Sequence, residues 1–327
     1  MDVDALVQGV LAADRRAVAR AISAVEDGAD GLEALSDGIF ASTGRAATVG
    51  LTGAPGVGKS TLAAGLVKVG RASDLRVAVL AVDPTSPYTG GALLGDRVRM
   101  QEHATDPSVF IRSMATRGHL GGMALAAPEA VRILDAAGYD RVMVETVGVG
   151  QAEVDVAAAT DTAVVVLAPG MGDAVQMAKA GILEVADVFV VNKADREGAP
   201  EVMRELRQML HLGVARDWDP PVLAASAIDD EGADEVWEAI ESHRAHLHES
   251  GALDAKRRTR LLREVEALAA ARFRVEVATA LEADPSLAQD LVERRTDPYE
   301  AAAMLAERAT GRAPASRADM GEADATA

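Results

Sequence analysis

The chain has 327 residues, of which 49% are hydrophobic and none is cysteine; 33 basic against 51 acidic residues give a formal net charge of −18. The length suits one large α/β domain with appendages or two domains, and the apolar share is enough for a sizeable core. Without cysteine there are no disulfides, thiolate zinc sites, iron–sulfur clusters or thiol nucleophiles. The acidic surplus opposes binding to nucleic acid and to anionic membrane surfaces. The first residues, MDVDALVQGV, carry acids where a secretory signal has basic residues. No uninterrupted apolar run reaches the ~18 residues of a spanning helix. The expectation is a soluble, cytoplasmic protein.

In chain order, residues 3–42 have apolar residues at helical spacing and are expected to form two or three short helices. From Ala46 onward, short apolar runs alternate with helical stretches: ATVGLT (47–52), LRVAVLAVD (75–83), VFIRSM (109–114), RVMVET (141–146), AVVVLA (163–168), DVFVVN (187–192) and, more weakly, PVLAAS (221–226). These runs are continuous rather than alternating, as in strands buried on both faces of a parallel sheet. Strands separated by helices imply βαβ units, so the expected fold is α/β with a doubly wound, mostly parallel sheet. After Gly251 the strand signals stop. AKRRTRLLREVEALAAARFRVEVATALEA reads as one long helix, and DPYEAAAMLAERAT as a second after a turn at Asp297-Pro298. These helices are expected to pack on the sheet domain or on a second subunit. The polar end GRAPASRADMGEADATA is expected to be disordered. The expected organisation is a helical extension (1–45), a sheet domain (46–250), a helical region (251–311) and a tail (312–327).

Gly53-Ala54-Pro55-Gly56-Val57-Gly58-Lys59-Ser60, followed by Thr61, fits G-x-x-x-x-G-K-[ST] between a strand and a helix. Glycines let backbone amides turn toward phosphates, and the helix N-terminus adds partial positive charge. Lys59 is placed to reach the β- and γ-phosphates, and the Ser60 hydroxyl to ligate Mg²⁺. A second motif, Asn192-Lys193-Ala194-Asp195, ends the strand DVFVVN. An aspartate there can accept hydrogen bonds from guanine N1–H and its exocyclic amino group; adenine offers neither. An unpaired buried carboxylate is costly, so such a site discriminates strongly. Asn192 and the stem of Lys193 would brace the loop and cover the base. Ser226-Ala227-Ile228, after the next strand, would supply an amide to guanine O6.

Two acids stand at strand ends, where open α/β sheets bind ligands. Asp83 closes LRVAVLAVD, and RVMVET carries Glu145 near its end, ahead of Gly148 in an E-x-x-G pattern. Glu145 can hold a Mg²⁺-bound water or position an attacking water, and the Gly148 amide can meet the γ-phosphate. Asp96 lies in the glycine-rich stretch GGALLGDRVRM. Two further loops invite a switching role: Pro169-Gly170-Met171-Gly172-Asp173 with Gln176 and Lys179, and Arg117-Gly118-His119-Leu120-Gly121-Gly122.

GAPGVGKST, VDPTSPYTGGALLGDRVRM, MATRGHLGG, ETVGVGQAE, PGMGD-x-x-Q-x-x-K and NKAD, in this order and spacing, resemble the MeaB/ArgK family of P-loop GTPases over roughly residues 10–310. The resemblance implies a homodimeric GTPase with Mg²⁺ as cofactor. It implies a chaperone that gates cobalamin loading into, and protects, an adenosylcobalamin-dependent acyl-CoA mutase, usually methylmalonyl-CoA mutase. By matching position, Lys59, Ser60, Asp83, Asp96 and Glu145 fall on phosphate, metal and switch residues, with Lys59, Glu145 and Asp96 as the catalytic set. Asp173, Gln176 and Lys179 fall on a third switch that meets the mutase. The helices from about Leu253 match a dimer-forming arm. The chain has VDPTSP where many members have VDPSSP.

Three other classes compete. A GTP-dependent metal-insertion chaperone would need ligands, and His243, His246 and His248 are the one histidine cluster, read here as solvated helix surface. A transport-linked or small-molecule kinase is opposed by Asp195. A targeting GTPase would need a basic or Met-rich partner surface, against a charge of −18 and 11 Met.

Overall fold

A computed structural model of the chain describes residues 1–83, 105–115, 123–146, 156, 158–170, 182–213 and 216–310. It divides into two compact units, Met1–Leu262 and Arg263–Ala327. The first begins with α1 (Val3–Leu11), α2 (Arg15–Asp27) and α3 (Leu32–Phe40). Asp2 and Asp14 cap the first two by accepting from the Ala5 and Ala17 amides. There follow β1 (Ala47–Thr52), α4 (Lys59–Ala72), β2 (Val77–Asp83), β3 (Val109–Ala115), α5 (Met123–Ala136), β4 (Arg141–Thr146) and β5 (Thr162–Leu167). The unit continues with α6 (Ile182–Val185), β6 (Val188–Asn192), α7 (Ala199–Leu212), β7 (Val222–Ala225), α8 (Ala233–Glu249) and the start of α9 (Ala252–Ala283).

The seven strands form one sheet in the order β3-β2-β4-β1-β5-β6-β7, and every pairing is parallel. The fold is thus the expected doubly wound α/β sheet, wholly rather than mostly parallel among the described residues. Side chains of β2 show why its sequence is continuously apolar. Ala78, Leu80 and Val82 join a core with α1, α2, α3 and α5, while Val77 and Val79 join a core with Leu62, Leu66, Val236 and Trp237 of α4 and α8. Both faces of the strand are therefore dry. The N-terminal helices share the core of the sheet and do not form a separate body. A third cluster sets Leu206 of α7 against Val165, Phe189 and Val191.

The edge of the sheet where strands begin carries a charged network. Asp161, just before β5 and 2% exposed, accepts from the Thr48 amide at 3.1 Å, from Arg257 Nη2 at 2.7 Å and from Arg260 Nη2 at 3.2 Å. Burial opposes its charge, but the hydrogen bond from Arg257 and the charges of Arg260 and Arg257 outweigh it, and the carboxyl lies below its usual range. Lys256 joins the Asp161 carbonyl at 2.7 Å to the Asp187 carboxylate at 3.2 Å. The first turns of α9 are thereby fastened beneath the sheet.

His243 of α8 belongs to the same network. Its Nδ1 lies 2.9 Å from Thr162 Oγ1 and its Nε2 3.3 Å from Asp187 Oδ1, and Trp218 covers the ring at 5.0 Å. It is 2% exposed, so the reading of His243, His246 and His248 as solvated surface is wrong for its first member. Burial pushes the His243 pKa down to about 4, against the opposing pull of Asp187.

The second unit contains the rest of α9, then α10 (Pro285–Val292) and α11 (Pro298–Thr310). Leu287, Ala301 and Leu305 form its small core with Val277, Leu291 and Met304. The long helix and the helix after Pro298 match expectation. The helix α10 is an addition: Pro285 occupies its first turn, and Asp284 caps it by accepting from the Leu287 amide at 3.2 Å. The tail 312–327 lies outside the described residues.

Two stability predictions follow from the charged edge. Asp161→Ala leaves Arg257 and Arg260 without their shared partner and should lower unfolding free energy by about 3 kcal/mol; a change under about 0.5 kcal/mol in urea melts would remove the network from the account. His243 is depressed in the folded chain, so unfolded protein binds the extra proton first. The stability contribution is complete above pH ~6.5 and falls away as pH drops toward about 4, by up to ~3 kcal/mol. His243→Gln should flatten the urea midpoint over that window; an unchanged slope contradicts the assignment.

Candidate nucleotide site

The phosphate loop connects the fully buried strand β1 to the first residue of α4, Lys59. Two glycines are forced by their surroundings. Gly53 has φ +137°, and a Cβ there would lie 2.1 Å from the Val166 carbonyl oxygen of β5. Gly58 has φ +99°, and a Cβ there would lie 2.2 Å from Asn192 Nδ2. Any side chain at either position would push the loop off its neighbours. Gly56 also has positive φ. Ala54, Pro55 and Val57 complete the turn, with Val57 buried. Thr61 lies in the first turn of α4.

Lys59 is 5% exposed. Its ammonium donates to the Gly53 and Ala54 carbonyls at 2.7 and 3.1 Å, which holds it over the concave side of its own loop. The next residue points to a different strand: Ser60 Oγ donates to Glu145 Oε1 at 2.7 Å. Glu145, the last residue but one of β4, lies directly beside β1, paired in register with Leu51. One residue further along each strand, Thr146 Oγ1 lies 3.3 Å from Thr52 Oγ1. The hydroxyl and carboxylate are hard oxygen donors side by side beneath the phosphate loop. Mg²⁺ takes few protein oxygens and completes its shell with phosphates and water, so the donor pair fits that ion. Among the described residues no three His, Asp or Glu converge into a metal cage.

Asp83 ends β2, the next strand over from β4, on the same edge of the sheet. Its side chain lies outside the described residues, as do Asp96, Gly148, Asp173, Gln176, Lys179 and the loop 117–122.

At the other end of the site, Asn192 ends β6 and is 2% exposed. Its Nδ2 donates to the Val57 carbonyl at 2.8 Å, and its Oδ1 accepts from the Ala227 amide at 3.1 Å. One side chain therefore ties the phosphate loop to the loop after β7. Lys193, in the left-handed region at φ +58°, donates from Nζ to the Gly56 carbonyl at 2.6 Å. Asp195 follows on the exposed edge, and Ser226 Oγ lies 3.1 Å from its Oδ1. The carboxylate is exposed, not buried, so the penalty for leaving it unpaired arises only where a base covers it.

In the loop after β7, two of the three candidate amides, those of Ser226 and Ala227, are engaged within the protein. The Ser226 amide donates to the Glu231 carbonyl at 3.0 Å, and the Ala227 amide is taken by Asn192. Neither is aimed outward at a base oxygen; both brace the loop. Ile228 is 84% exposed. A residue that sequence reasoning passed over, Asp229, also contacts the Ser226 hydroxyl. Its one sequence signal is that an acid stands three residues beyond the serine.

The comparisons with known proteins agree with this geometry. Residues 18–282 match the family model described as methylmalonyl Co-A mutase-associated GTPase MeaB. A putative GTPase of Pyrococcus horikoshii is 48% identical over 314 residues, 95% of this chain and 99% of that one. The mouse protein named methylmalonic aciduria type A homolog, mitochondrial, is 41% identical over 216 residues, 64% of this chain and 52% of its own. A crystal structure titled LAO/AO transport system kinase superposes with a TM-score of 0.70 at 27% identity, covering 93% of this chain and 96% of that one. With a phosphate loop braced against an N-K-x-D loop, a family model over most of its length and close GTPase relatives, the chain belongs to the MeaB family of P-loop GTPases.

Proposed function

We propose that this GTPase serves as a nucleotide-driven chaperone for an adenosylcobalamin-dependent acyl-CoA mutase, gating cobalamin loading and protecting the loaded enzyme. Methylmalonyl-CoA mutase is the partner the reading favours. Its support is the family description, which names association with that mutase, and the mouse relative named for methylmalonic aciduria. The observation that carries the nucleotide half is the Asn192 bridge from the Val57 carbonyl to the Ala227 amide. It sets the base-reading loop and the phosphate loop at a fixed spacing.

In this reading the backbone N–H groups of 53–60, Pro55 excepted, and the N-terminus of α4 surround the β- and γ-phosphates. Lys59 exchanges the Gly53 and Ala54 carbonyls for phosphate oxygens. Ser60 and Glu145 would hold Mg²⁺, with Asp83, at the same edge of the sheet, and Asp96 as further candidates. When bound, the ion neutralises charge that builds on the phosphates during transfer. Glu145 also orients the attacking water, and the Gly148 amide meets the γ-phosphate. Asp195 accepts from guanine. Asp173, Gln176 and Lys179 carry the nucleotide state to the mutase. The protein works as a cytoplasmic homodimer through its C-terminal helices, where Val265, Leu268 and Val275 of α9 are exposed apolar residues.

Three outcomes test this reading. Lys59→Ala should abolish GTP hydrolysis; phosphate release at the wild-type rate would show that the site is elsewhere. Asp195→Asn should weaken GTP binding roughly 10- to 100-fold and improve binding of xanthosine triphosphate, and unchanged selectivity in competition assays would contradict the base assignment. Intrinsic turnover should be slow and rise on the order of tenfold or more when the cognate mutase is added, since groups supplied in trans can contribute far more than that. No acceleration with methylmalonyl-CoA mutase or any other cobalamin-dependent acyl-CoA mutase would end the chaperone proposal.

A further inference from the structure

One face of β1 is given over to the two ends of a single stretch of chain. Val49 and Leu51 belong to the core shared with α4 and α8. The alternate residues, Thr48, Gly50 and Thr52, share the opposite face and are buried, yet none is a large apolar residue. Two of them tie down the chain between Glu145 and Asp161. At the near end Thr146, the residue after Glu145, donates its hydroxyl to Thr52 Oγ1 at 3.3 Å. At the far end the Asp161 amide donates to Thr48 Oγ1 at 2.8 Å, and the Asp161 carboxylate accepts from the Thr48 amide at 3.1 Å. Residues 147–155 and 157 lie outside the described residues.

Gly50 stands between these ties. A Cβ there would lie 2.6 Å from Val156 Cγ1, 2.7 Å from Thr160 Oγ1 and 3.2 Å from the Val156 carbonyl oxygen. Its φ is not positive, so the demand is for space and not for an unusual backbone. Glycine inside a strand weakens it and marks the close approach of another backbone. That backbone is itself secured. The Thr160 hydroxyl donates to the Val156 carbonyl at 2.9 Å, and Arg260 of α9 donates to the Ala159 carbonyl at 3.0 Å and to Asp161 Oδ1 at 3.2 Å. Val156 and Thr160 are both buried.

We propose that Gly50 is a positioning residue for GTP hydrolysis: by leaving room for Val156 and Thr160 against β1, it fixes the far end of a segment whose near end carries Glu145. The inference rests on the reading of Glu145 as the residue that orients the attacking water. Gly50 touches no nucleotide in this scheme; it acts through the seating of 156–161. Nucleotide affinity draws on the loops 53–60 and 192–195. Hydrolysis also needs Glu145 in place, and a misplacement of ~1 Å can cost ~10²-fold in rate.

The experiment measures single-turnover GTP hydrolysis and equilibrium GDP binding on the full-length chain with Mg²⁺. Gly50→Ala should slow hydrolysis roughly tenfold and leave GDP affinity within about twofold. In a Val156→Ala/Thr160→Ala background, which removes the two side-chain atoms nearest the new methyl, Gly50→Ala should slow hydrolysis by less than about twofold. An unchanged rate in Gly50→Ala overturns the inference. So does an equal loss of rate and GDP affinity, which would mark Gly50 as a simple packing residue, and so does the same loss of rate in both backgrounds. If Gly50→Ala does not fold, Arg260→Met decides. It removes the bond to Ala159, leaves Arg257 on Asp161, and should slow hydrolysis about threefold at unchanged GDP affinity; in that case a wild-type rate overturns the inference. Glu145→Gln measured alongside separates the two levels. If it slows hydrolysis while Gly50→Ala does not, only the role of Gly50 fails. If Glu145→Gln hydrolyses GTP at the wild-type rate, the reading of Glu145 has failed and takes this inference with it.

Discussion

The site depends on the side chain of Asn192. Its amide nitrogen donates to Val57 and its amide oxygen accepts from Ala227. Two loops far apart in sequence are thereby held as one surface. The demand is mutual, because Gly58 has no side chain where a Cβ would sit 2.2 Å from that same nitrogen. An amide is the side chain that offers a donor and an acceptor in one plane; a carboxylate here would set two acceptors against a carbonyl. The spacing of the phosphate loop and of the N-K-x-D loop is thus one geometric constraint, set at the end of β6.

The sheet order explains why the pieces meet. β1 lies between β4 and β5, so the loop after it opens between Glu145 on one side and the end of β6, beyond β5, on the other. Ser60 reaches Glu145 on the first side, and Lys193 reaches back to Gly56 from the second. The opposite edge does different work. Asp161 and Asp187 collect Lys256, Arg257, Arg260 and His243, which fastens α9 to the ends where strands begin. Asp161 also exchanges hydrogen bonds with Thr48 at the base of β1. The strand carrying the phosphate loop is thus anchored at its far end to the helix that leads out of the sheet unit.

Much of this was readable from sequence, because the physics behind it is local. A strand dry on both faces must be apolar at every position, so β1 and β4 stood out with their observed bounds. The phosphate loop and N-K-x-D were legible as strings with required backbone conformations. What escaped reading depends on contacts between distant residues. His243 looked like surface because α8 is rich in charge, yet it sits in register with Val236, Ile240 and Leu247, all buried; that helical spacing was the missed signal. The helix α10 has no counterpart in the sequence reading, although Asp284-Pro285 is a helix start: proline suits a first turn and the aspartate caps it. The engagement of the Ala227 amide by Asn192, and of Ser226 by two acids, follows from the spatial approach of β6 and β7 and has no sequence pattern of its own.

The central claim is that one cleft reads phosphate and guanine together, and nucleotide competition tests it most directly. Titration of the full chain with GDP and with ADP, each with Mg²⁺, should give tight binding of the guanine nucleotide and binding at least ~10³-fold weaker for adenine. Equal affinities, or no binding of GDP at all, would contradict the account.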